Sequence, residues 1–353
     1  MKNLKFRGEI ILYVAATRSK WLTLLLSLAF LGLVAGCGGQ IPQETTANAP
    51  ISHDERGYDI NWPTRPVTIV VPLPPGGDTD FFARAYAPFL TEHFGVDFEV
   101  VNVVGDGGIY GAVNVHQSNP DGYTILFHHT GMFTNMLLGA TTLRHTDFAI
   151  ACITNFESTN ILVANPQAEF TDAFDFLERA RENPWHYRVA ATTTGFSVFP
   201  VRAMEVAGDF YLTPVDMAGG QMAEALVNGE VDLAIGAYGV FRPFIERGEI
   251  VPLILSAERR NPDFRHVATV EDLGFSDAAI GRAYFFAFPP GTDDALLHRL
   301  SDAVAEIQFN DEYISAIRDF FSVQPFFLPT PAVHGFLQEL WNDMYRMAAY
   351  LDR

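Results

Sequence analysis

The feature that most constrains the fold is a strand, a glycine-rich turn and a helix start that follow one another directly in residues 67–83, VTIVVPLPPGGDTDFFA. Val67–Val71 is an apolar, β-branched run with the length of one buried strand. Prolines and a glycine pair then break the strand and allow a tight turn. Asp78, Thr79 and Asp80 follow with side-chain oxygens suited to capping a helix that begins at this point.

This junction has two interpretations that its residues leave open. The first peptide N–H groups of a helix have no partner within the helix, and the helix dipole adds a partial positive charge there. Such a junction is therefore able to bind an anion. It is equally compatible with a plain turn whose glycines permit tight packing. The chain has neither the Gly-Lys-Ser/Thr of a phosphate loop nor a GxGxxG fingerprint at this position.

Short β-rich runs alternate with helical patterns from Trp62 onward, which predicts an α/β fold with mainly parallel sheets. A mature chain of about 300 residues is longer than a single hydrophobic core usually accommodates, so two lobes are expected. The predicted strands are 67–73, 98–103, 123–127, 161–164, 188–191, 212–215, 231–235, 251–256 and 284–288. The predicted helices are 80–93, 109–117, 172–182, 198–207, 221–227, 240–246, 293–308, 311–321 and 331–351.

The N-terminus is predicted to be an export signal. Basic residues precede an apolar run of 16 residues at 21–36, which is shorter than the roughly 20 residues of a membrane span. The run ends in Val-Ala-Gly before Cys37, which resembles the lipobox of bacterial lipoproteins and predicts acylation of Cys37. The alternative is an uncleaved anchor with an incidental cysteine. Residues 37–61 are then a flexible tether.

The mature chain is strongly acidic. Residues 1–36 hold five Lys/Arg and one acid, so 18 basic and 41 acidic side chains remain, a net charge of −23. Such a surface repels nucleic acid, and no nucleic-acid partner is expected. Cys152 is the one cysteine left if Cys37 is acylated. No intramolecular disulfide is then possible, and Cys152 is predicted to be a small buried hydrophobic residue.

Further glycine- and hydroxyl-rich turns follow later strands, at residues 103–112, 190–197 and 217–221. Thr192, Thr193, Thr194 and Ser197 supply hydroxyl donors suited to a carboxylate, and the alternative for them is helix capping. For the turn at 103–112, tight packing against the sheet is the favoured interpretation.

The sequence offers no credible catalytic set. His128 and His129 are adjacent on a strand and point to opposite faces, with no nearby cysteine or carboxylate at ligand spacing, so no metal is expected. Ser197 lacks the second glycine of a GxSxG elbow, because Phe199 stands there. The pair Asp78 and Asp80 fits ordinary capping at a helix start. We therefore expect a protein that is not an enzyme and that uses no cofactor.

An ordered set of motifs resembles the receptors of tripartite tricarboxylate transporters, the Bug-type extracytoplasmic solute receptors. The set begins with WPxRPV at residues 62–67 and VPLPPGGxTD at 71–80. It continues with GxGGxxGA at 105–112, NPDGYT at 119–124, NGEVDL at 228–233, RGEI at 247–250 and FPPGT at 288–292. The motifs keep collinear spacing over essentially the whole mature chain.

The resemblance implies a two-lobed periplasmic-binding-protein fold of type II-like topology, with a ligand cleft between the lobes. One lobe would comprise residues 62–160 and 284–353, and the other residues 161–283. The implied function is capture of a small organic carboxylate for integral-membrane permease subunits by a monomeric, lipid-anchored extracytoplasmic receptor. The rival is a protein of the same fold that signals to a membrane sensor. The predicted ligand contacts are Leu73, Pro75, Gly76, Gly77, Asp78, Thr79, Asp80, His128, Thr192, Thr193, Thr194, Gly195, Ser197, Ala218 and Gly219.

Asp78 departs from the family pattern, which usually has a glycine or small residue at this position. A carboxylate beside an anion site would weaken binding of a simple dianion. We therefore expect either that Asp78 favours a ligand with an amine or that it points outward as a cap.

Overall fold

The computed structural model describes residues 61–157, 160–192, 196–257 and 264–351. The predicted signal segment, almost all of the tether and the predicted lipidation site Cys37 lie outside the described residues. The predicted ligand contacts Thr193, Thr194 and Gly195 lie outside them as well.

The described chain alternates strands and helices over most of its length, as expected. The strands are β1 (Val67–Val71), β2 (Phe98–Asn102), β3 (Thr124–His129), β4 (Ala149–Glu157), β5 (Asn160–Ala164), β6 (Arg188–Ala191), β7 (Thr213–Asp216), β8 (Leu233–Ala237), β9 (Val251–Ser256), β10 (Ala268–Thr269) and β11 (Arg282–Phe288). The helices are α1 (Asp78–Phe94), α2 (Ile109–His116), α3 (Gly131–Leu137), α4 (Ala173–Glu182), α5 (Val198–Gly208), α6 (Gly220–Val227), α7 (Tyr238–Glu246), α8 (Asp294–Ile307), α9 (Asp311–Phe321) and α10 (Thr330–Leu351).

The strands form two sheets. The first has the order β2-β1-β3-β11-β4, and the second has the order β10-β9-β5-β8-β6-β7. In each sheet one strand runs opposite to all the others: β11 in the first sheet and β5 in the second. The predicted α/β class with mainly parallel sheets is confirmed.

The two reversed strands are the ones that the chain enters on passing between the sheets. The chain leaves the first sheet after β4 to form β5, and it returns after β10 to form β11. Because each of them runs antiparallel to its neighbours, its first residue lies at the carboxyl ends of the parallel strands. Asn160 thus pairs with Ala237 at the end of β8, and Tyr284, near the start of β11, pairs with His129 at the end of β3.

Each sheet has its own apolar core. In the first, the aromatic rings of Tyr86, Phe127 and Phe286 pack together between the sheet and helix α1, with Tyr86 to Phe286 centroids 5.6 Å apart. In the second, Phe241 and Met222 lie in the core with residues of β5 and β8. Cys152 is buried in the first core, as the sequence predicts.

The structure differs from the expected elements in several places. Helix α1 begins at Asp78, two residues earlier than predicted, because Gly77 has the extended conformation of an N-cap (φ −83°, ψ 173°). Strands β4 and β10 and helix α3 were not predicted at all. The expected starts at Asp172 and Asp293 are N-caps, whose side chains accept hydrogen bonds from the first helical N–H groups.

Candidate ligand-binding cleft

A cleft lies where the two sheets present the carboxyl ends of their parallel strands, the edge at which α/β sheets bind ligands. It has an inner compartment of about 70 Å³ and an outer one of about 270 Å³. The two compartments adjoin each other, and both are lined by Leu73, Pro74, Gly107, Thr192 and Ala218. The inner compartment is also lined by Gly77, Asp78, His129, Phe196, Ser197, Gly219, Met222, Gly236, Ala237, Val240 and Arg282.

The loop after β1 is held in shape by its own sequence. Gly76 has φ +79°, a left-handed conformation that favours glycine. The Asp80 side chain accepts a hydrogen bond from the Gly76 amide at 3.0 Å and others from Arg84 and Asn102. Burial raises the pKa of the Asp80 carboxyl, but the bonds from Arg84, Gly76 and Asn102 outweigh it and lower the pKa. Asp80 therefore stabilises the conformation of this loop through these hydrogen bonds.

Asp78 does not point outward. It is 8% exposed, lines the inner compartment and forms an ion pair with Arg282, with Arg282 Nη1 2.5 Å from Asp78 Oδ2. Tyr284 donates to the same oxygen at 2.6 Å. Burial raises the pKa of Asp78, but the Arg282 charge and the hydrogen bonds from the Tyr284 hydroxyl and the Thr79 amide outweigh it and hold the pKa at about 2. Asp78 is therefore ionised and paired inside the protein.

His129 presents a neutral imidazole to the inner compartment. Its Nδ1 accepts a hydrogen bond from the Gly131 amide at 2.8 Å, so the ring proton is on Nε2. Burial lowers the pKa of His129 to about 3; the Asp78 charge opposes this shift, and the Arg282 charge works in the same direction as burial. At neutral pH the ring therefore offers an N–H donor and no charge.

The loops at the ends of the second sheet face this cluster. Thr192 donates its amide to the Ser197 hydroxyl at 3.0 Å, and the two hydroxyls are hydrogen-bonded to each other. The Phe196 ring lies over the Arg282 guanidinium, 5.2 Å from its central carbon, and contacts His129 edge-on. Gly219, with φ +59° and ψ −142°, closes the turn before α6. Side chains of both sheets thus meet across the inner compartment.

The structure brings about half of the predicted ligand contacts together in the cleft. Those that line it are Leu73, Gly77, Asp78, Thr192, Ser197, Ala218 and Gly219. Pro75 and Gly76 lie in the same loop without lining either compartment, and Thr79 and Asp80 are buried. The contact assignments stay predictions.

His128 lies behind the cleft. It is 1% exposed, and neither ring nitrogen has a hydrogen-bond partner within the described part of the chain. Burial, together with neighbouring His129, lowers its pKa well below the usual range. Its ring fills the space beside Gly108, where an added Cβ would lie 3.2 Å from the imidazole.

Sequence reasoning missed Arg282 and considered His129 only as a metal ligand. Among the residues that the structure describes, no group of three or more His, Cys, Asp or Glu side chains is placed to hold a metal ion. No helix in the described ranges has the length and apolarity needed to cross a bilayer.

Comparison with known proteins decides the family. Residues 82–347 match the model of the tripartite tricarboxylate transporter family receptor, which is most of the chain. The chain belongs to this family. The receptor is 28% identical over 261 residues to the UPF0065 protein of the tcbD-tcbE intergenic region of Pseudomonas sp. strain P51, covering 73% of this chain and 78% of that one. It is 23% identical to protein BugT of Bordetella pertussis, covering 73% and 79%.

Solved structures agree with the fold. The receptor superimposes on the R. palustris protein Rpa4515, solved with adipate, with a TM-score of 0.76 and 26% identity, over 82% of this chain and 99% of that one. The predicted resemblance and the two-lobed binding-protein fold are thereby confirmed, and the chain is a solute-binding receptor by family.

Proposed function

We propose that this receptor binds a small organic carboxylate reversibly in the inner compartment and delivers it to integral-membrane permease subunits. The observation that carries the proposal is the convergence of donors from both sheets. The β1–α1 loop with the start of α1, the His129 ring, the Arg282 guanidinium and the Thr192–Ser197 hydroxyl pair all line one compartment. Preorganised donors in a partly enclosed cleft bind an anion more strongly than donors on an open surface do.

The adipate bound by Rpa4515 supports a carboxylate as the ligand class. The arrangement of the hydroxyls supports binding rather than catalysis. The Ser197 hydroxyl is hydrogen-bonded to the hydroxyl of Thr192. The acceptor nitrogen of the nearby His129 ring accepts a hydrogen bond from the Gly131 amide. A nucleophile with an adjacent base, as covalent catalysis requires, is not assembled by these residues.

The test is a thermal-shift screen of the chain from Gln43 onward against mono-, di- and tricarboxylates, aromatic acids and amino acids. A ligand of the folded state raises the melting temperature by an amount that grows with its concentration. We expect a shift with at least one class of carboxylate. No shift with any acid, at any concentration tested, would refute the carboxylate proposal.

A matched pair of variants tests the loop. Gly77→Pro removes the amide N–H at the start of α1, and the native φ of −83° is close to the range that proline adopts. Gly77→Ala keeps the amide, and its Cβ meets only the Pro74 carbonyl oxygen at an ordinary 3.5 Å. We expect the proline variant alone to lose the shift. Equal affinities of the two folded variants would remove this amide from the site.

We further propose that Cys37 carries the lipid that tethers the receptor to the outer face of a membrane. The lipobox-like sequence before Cys37 and the polar residues after it support this. Cells grown with labelled palmitate should label the wild-type protein and leave the Cys37→Ser variant unlabelled. Equal labelling of both would exclude this anchor.

A further inference from the structure

Arg282 is a buried cation at the wall of the ligand cleft. It is 5% exposed and lines the inner compartment. Its position follows from the topology, because β11 enters the first sheet at the carboxyl ends of β1 and β3, and Arg282 is the first residue of β11. A charged side chain in such a place is costly unless it is paired, and Asp78 is its partner.

The carboxylate of Asp78 is fully occupied by the protein. Its Oδ1 accepts from the amide and the hydroxyl of Thr79 at 2.8 and 3.3 Å. Its Oδ2 accepts from the Tyr284 hydroxyl and the Arg282 guanidinium at 2.6 and 2.5 Å. A carboxylate has about four acceptor positions, so these four bonds leave Asp78 none for an ammonium group of a ligand. The expectation that Asp78 favours an amine is therefore not supported by the geometry.

The same four bonds fix Asp78 and, through it, the guanidinium. The Phe196 ring from the opposite side of the cleft covers Arg282, and His129 adds a neutral N–H donor beside it. Asp78 and Arg282 cancel in charge, so the pair binds an anion by directed donors rather than by net charge. The inner compartment has room for about five water-sized groups, which is enough for a carboxylate and the first carbon atoms attached to it.

We propose that Arg282 is the charged contact for the anionic end of the ligand and that Asp78 is the residue that positions it. The ligand class is a small molecule that places one ionised carboxylate in the inner compartment and its remaining atoms in the outer one. This inference rests on the proposed function, because it assigns the residue that recognises the carboxylate.

The experiment must separate recognition from simple charge neutralisation. Arg282→Gln alone leaves Asp78 buried without a counter-charge, which threatens folding. The double variant Asp78→Asn/Arg282→Gln removes both charges together and is the main test. The matched control is Asp232→Asn/Arg188→Gln, which removes another Asp–Arg pair, with Arg188 Nε 3.2 Å from Asp232 Oδ2, that does not line the cleft.

The full-length variants, in detergent, are titrated with hexanoate, malate and adipate and with the neutral amides of the same three acids. For the wild type and the control pair we expect the acid to bind more tightly than its amide. For the main double variant we expect affinity for the acid to fall roughly 10- to 150-fold, the range for a hydrogen bond to a charged group, and the acid–amide ratio to approach one. Asp78→Asn alone keeps the guanidinium and removes the neighbouring negative charge, so its acid–amide ratio should stay well above that of the double variant.

Three results would overturn the proposal in distinguishable ways. If the folded double variant keeps the wild-type acid–amide ratio, Arg282 only neutralises Asp78, and the carboxylate function stands without it. If the control pair loses the ratio as well, the effect is not specific to the cleft. If the wild-type receptor binds neither these three acids nor any acid of the thermal-shift screen, the carboxylate function fails, and the role of Arg282 fails with it.

Discussion

The buried imidazole of His129 should make the receptor sensitive to mild acid. Its folded-state pKa is about 3, whereas a histidine in an unfolded chain titrates near 6.5. The unfolded chain therefore binds the proton more tightly, and stability that is complete above pH 6.5 is lost as the pH falls towards 3. Between pH 7 and pH 5 this one group should remove about 2 kcal/mol from the free energy of unfolding.

Urea unfolding at the two pH values measures this loss, and His129→Asn isolates it. Asparagine keeps a side-chain oxygen in reach of the Gly131 amide and does not titrate. The wild type should lose about 2 kcal/mol more than the variant between pH 7 and pH 5, read from linear extrapolation to zero denaturant. Equal losses would mean that the folded-state pKa of His129 lies near 6.5, and a smaller loss in the wild type would mean that His129 stays protonated beside Asp78; either result would contradict the lowered pKa.

Two further predictions concern packing. Gly111→Ala should destabilise by about 1–3 kcal/mol, because the added Cβ would lie 2.7 Å from the Val103 carbonyl oxygen and equally near Pro72; Gly335→Ala, in a helix with open space around it, should gain up to about 1 kcal/mol. Urea unfolding of both variants checks this, and a neutral Gly111→Ala would contradict the close approach. Burial raises the pKa of the Cys152 thiol and hides it, so a disulfide reagent should label it only at the rate of unfolding; fast labelling of the native protein would contradict its burial.

The parts of the site that could be predicted from the sequence are those that a local sequence pattern indicates. A run such as Val67–Val71 followed by prolines and glycines indicates a strand end and a loop. In an α/β fold, the loops at strand ends collect at one edge of each sheet. This rule groups Leu73 with Gly77 and Thr192 with Ser197, whereas the facing of the two loops was implied only by the resemblance to the receptor family; all four residues line the inner compartment.

The charged centre of the cleft could not be found in that way. Arg282 is a single arginine at the start of a strand, and its ion-pair partner, Asp78, lies far away in the sequence. Tyr284, two residues after Arg282, donates to the same carboxylate across 206 positions. Such a pairing depends on the reversed direction of β11, which no local pattern indicates. Without Arg282, Asp78 could only be interpreted as a cap or as the partner of a ligand amine.

Strand β4 was missed for a related reason. Residues 149–157 read AIACITNFE, in which the apolar run passes into polar residues without a turn. The strand lies at the edge of the first sheet and pairs with β11, which follows over a hundred residues later. Its identity as a strand is fixed by that long-range pairing, including the bond between Thr154 and Tyr284.

The acidic composition is compatible with the anionic ligand proposed above, because surface charges and contacts in the cleft act over different distances. The chain has a formal net charge of −19, yet at physiological ionic strength exposed charges are largely screened beyond about 8 Å. Inside the cleft the interactions are short and poorly screened, so the donors that touch the ligand dominate its free energy of binding. Under the proposed function, the surface charge mainly slows the encounter, whereas Arg282, His129 and the loop amides decide which anion stays bound.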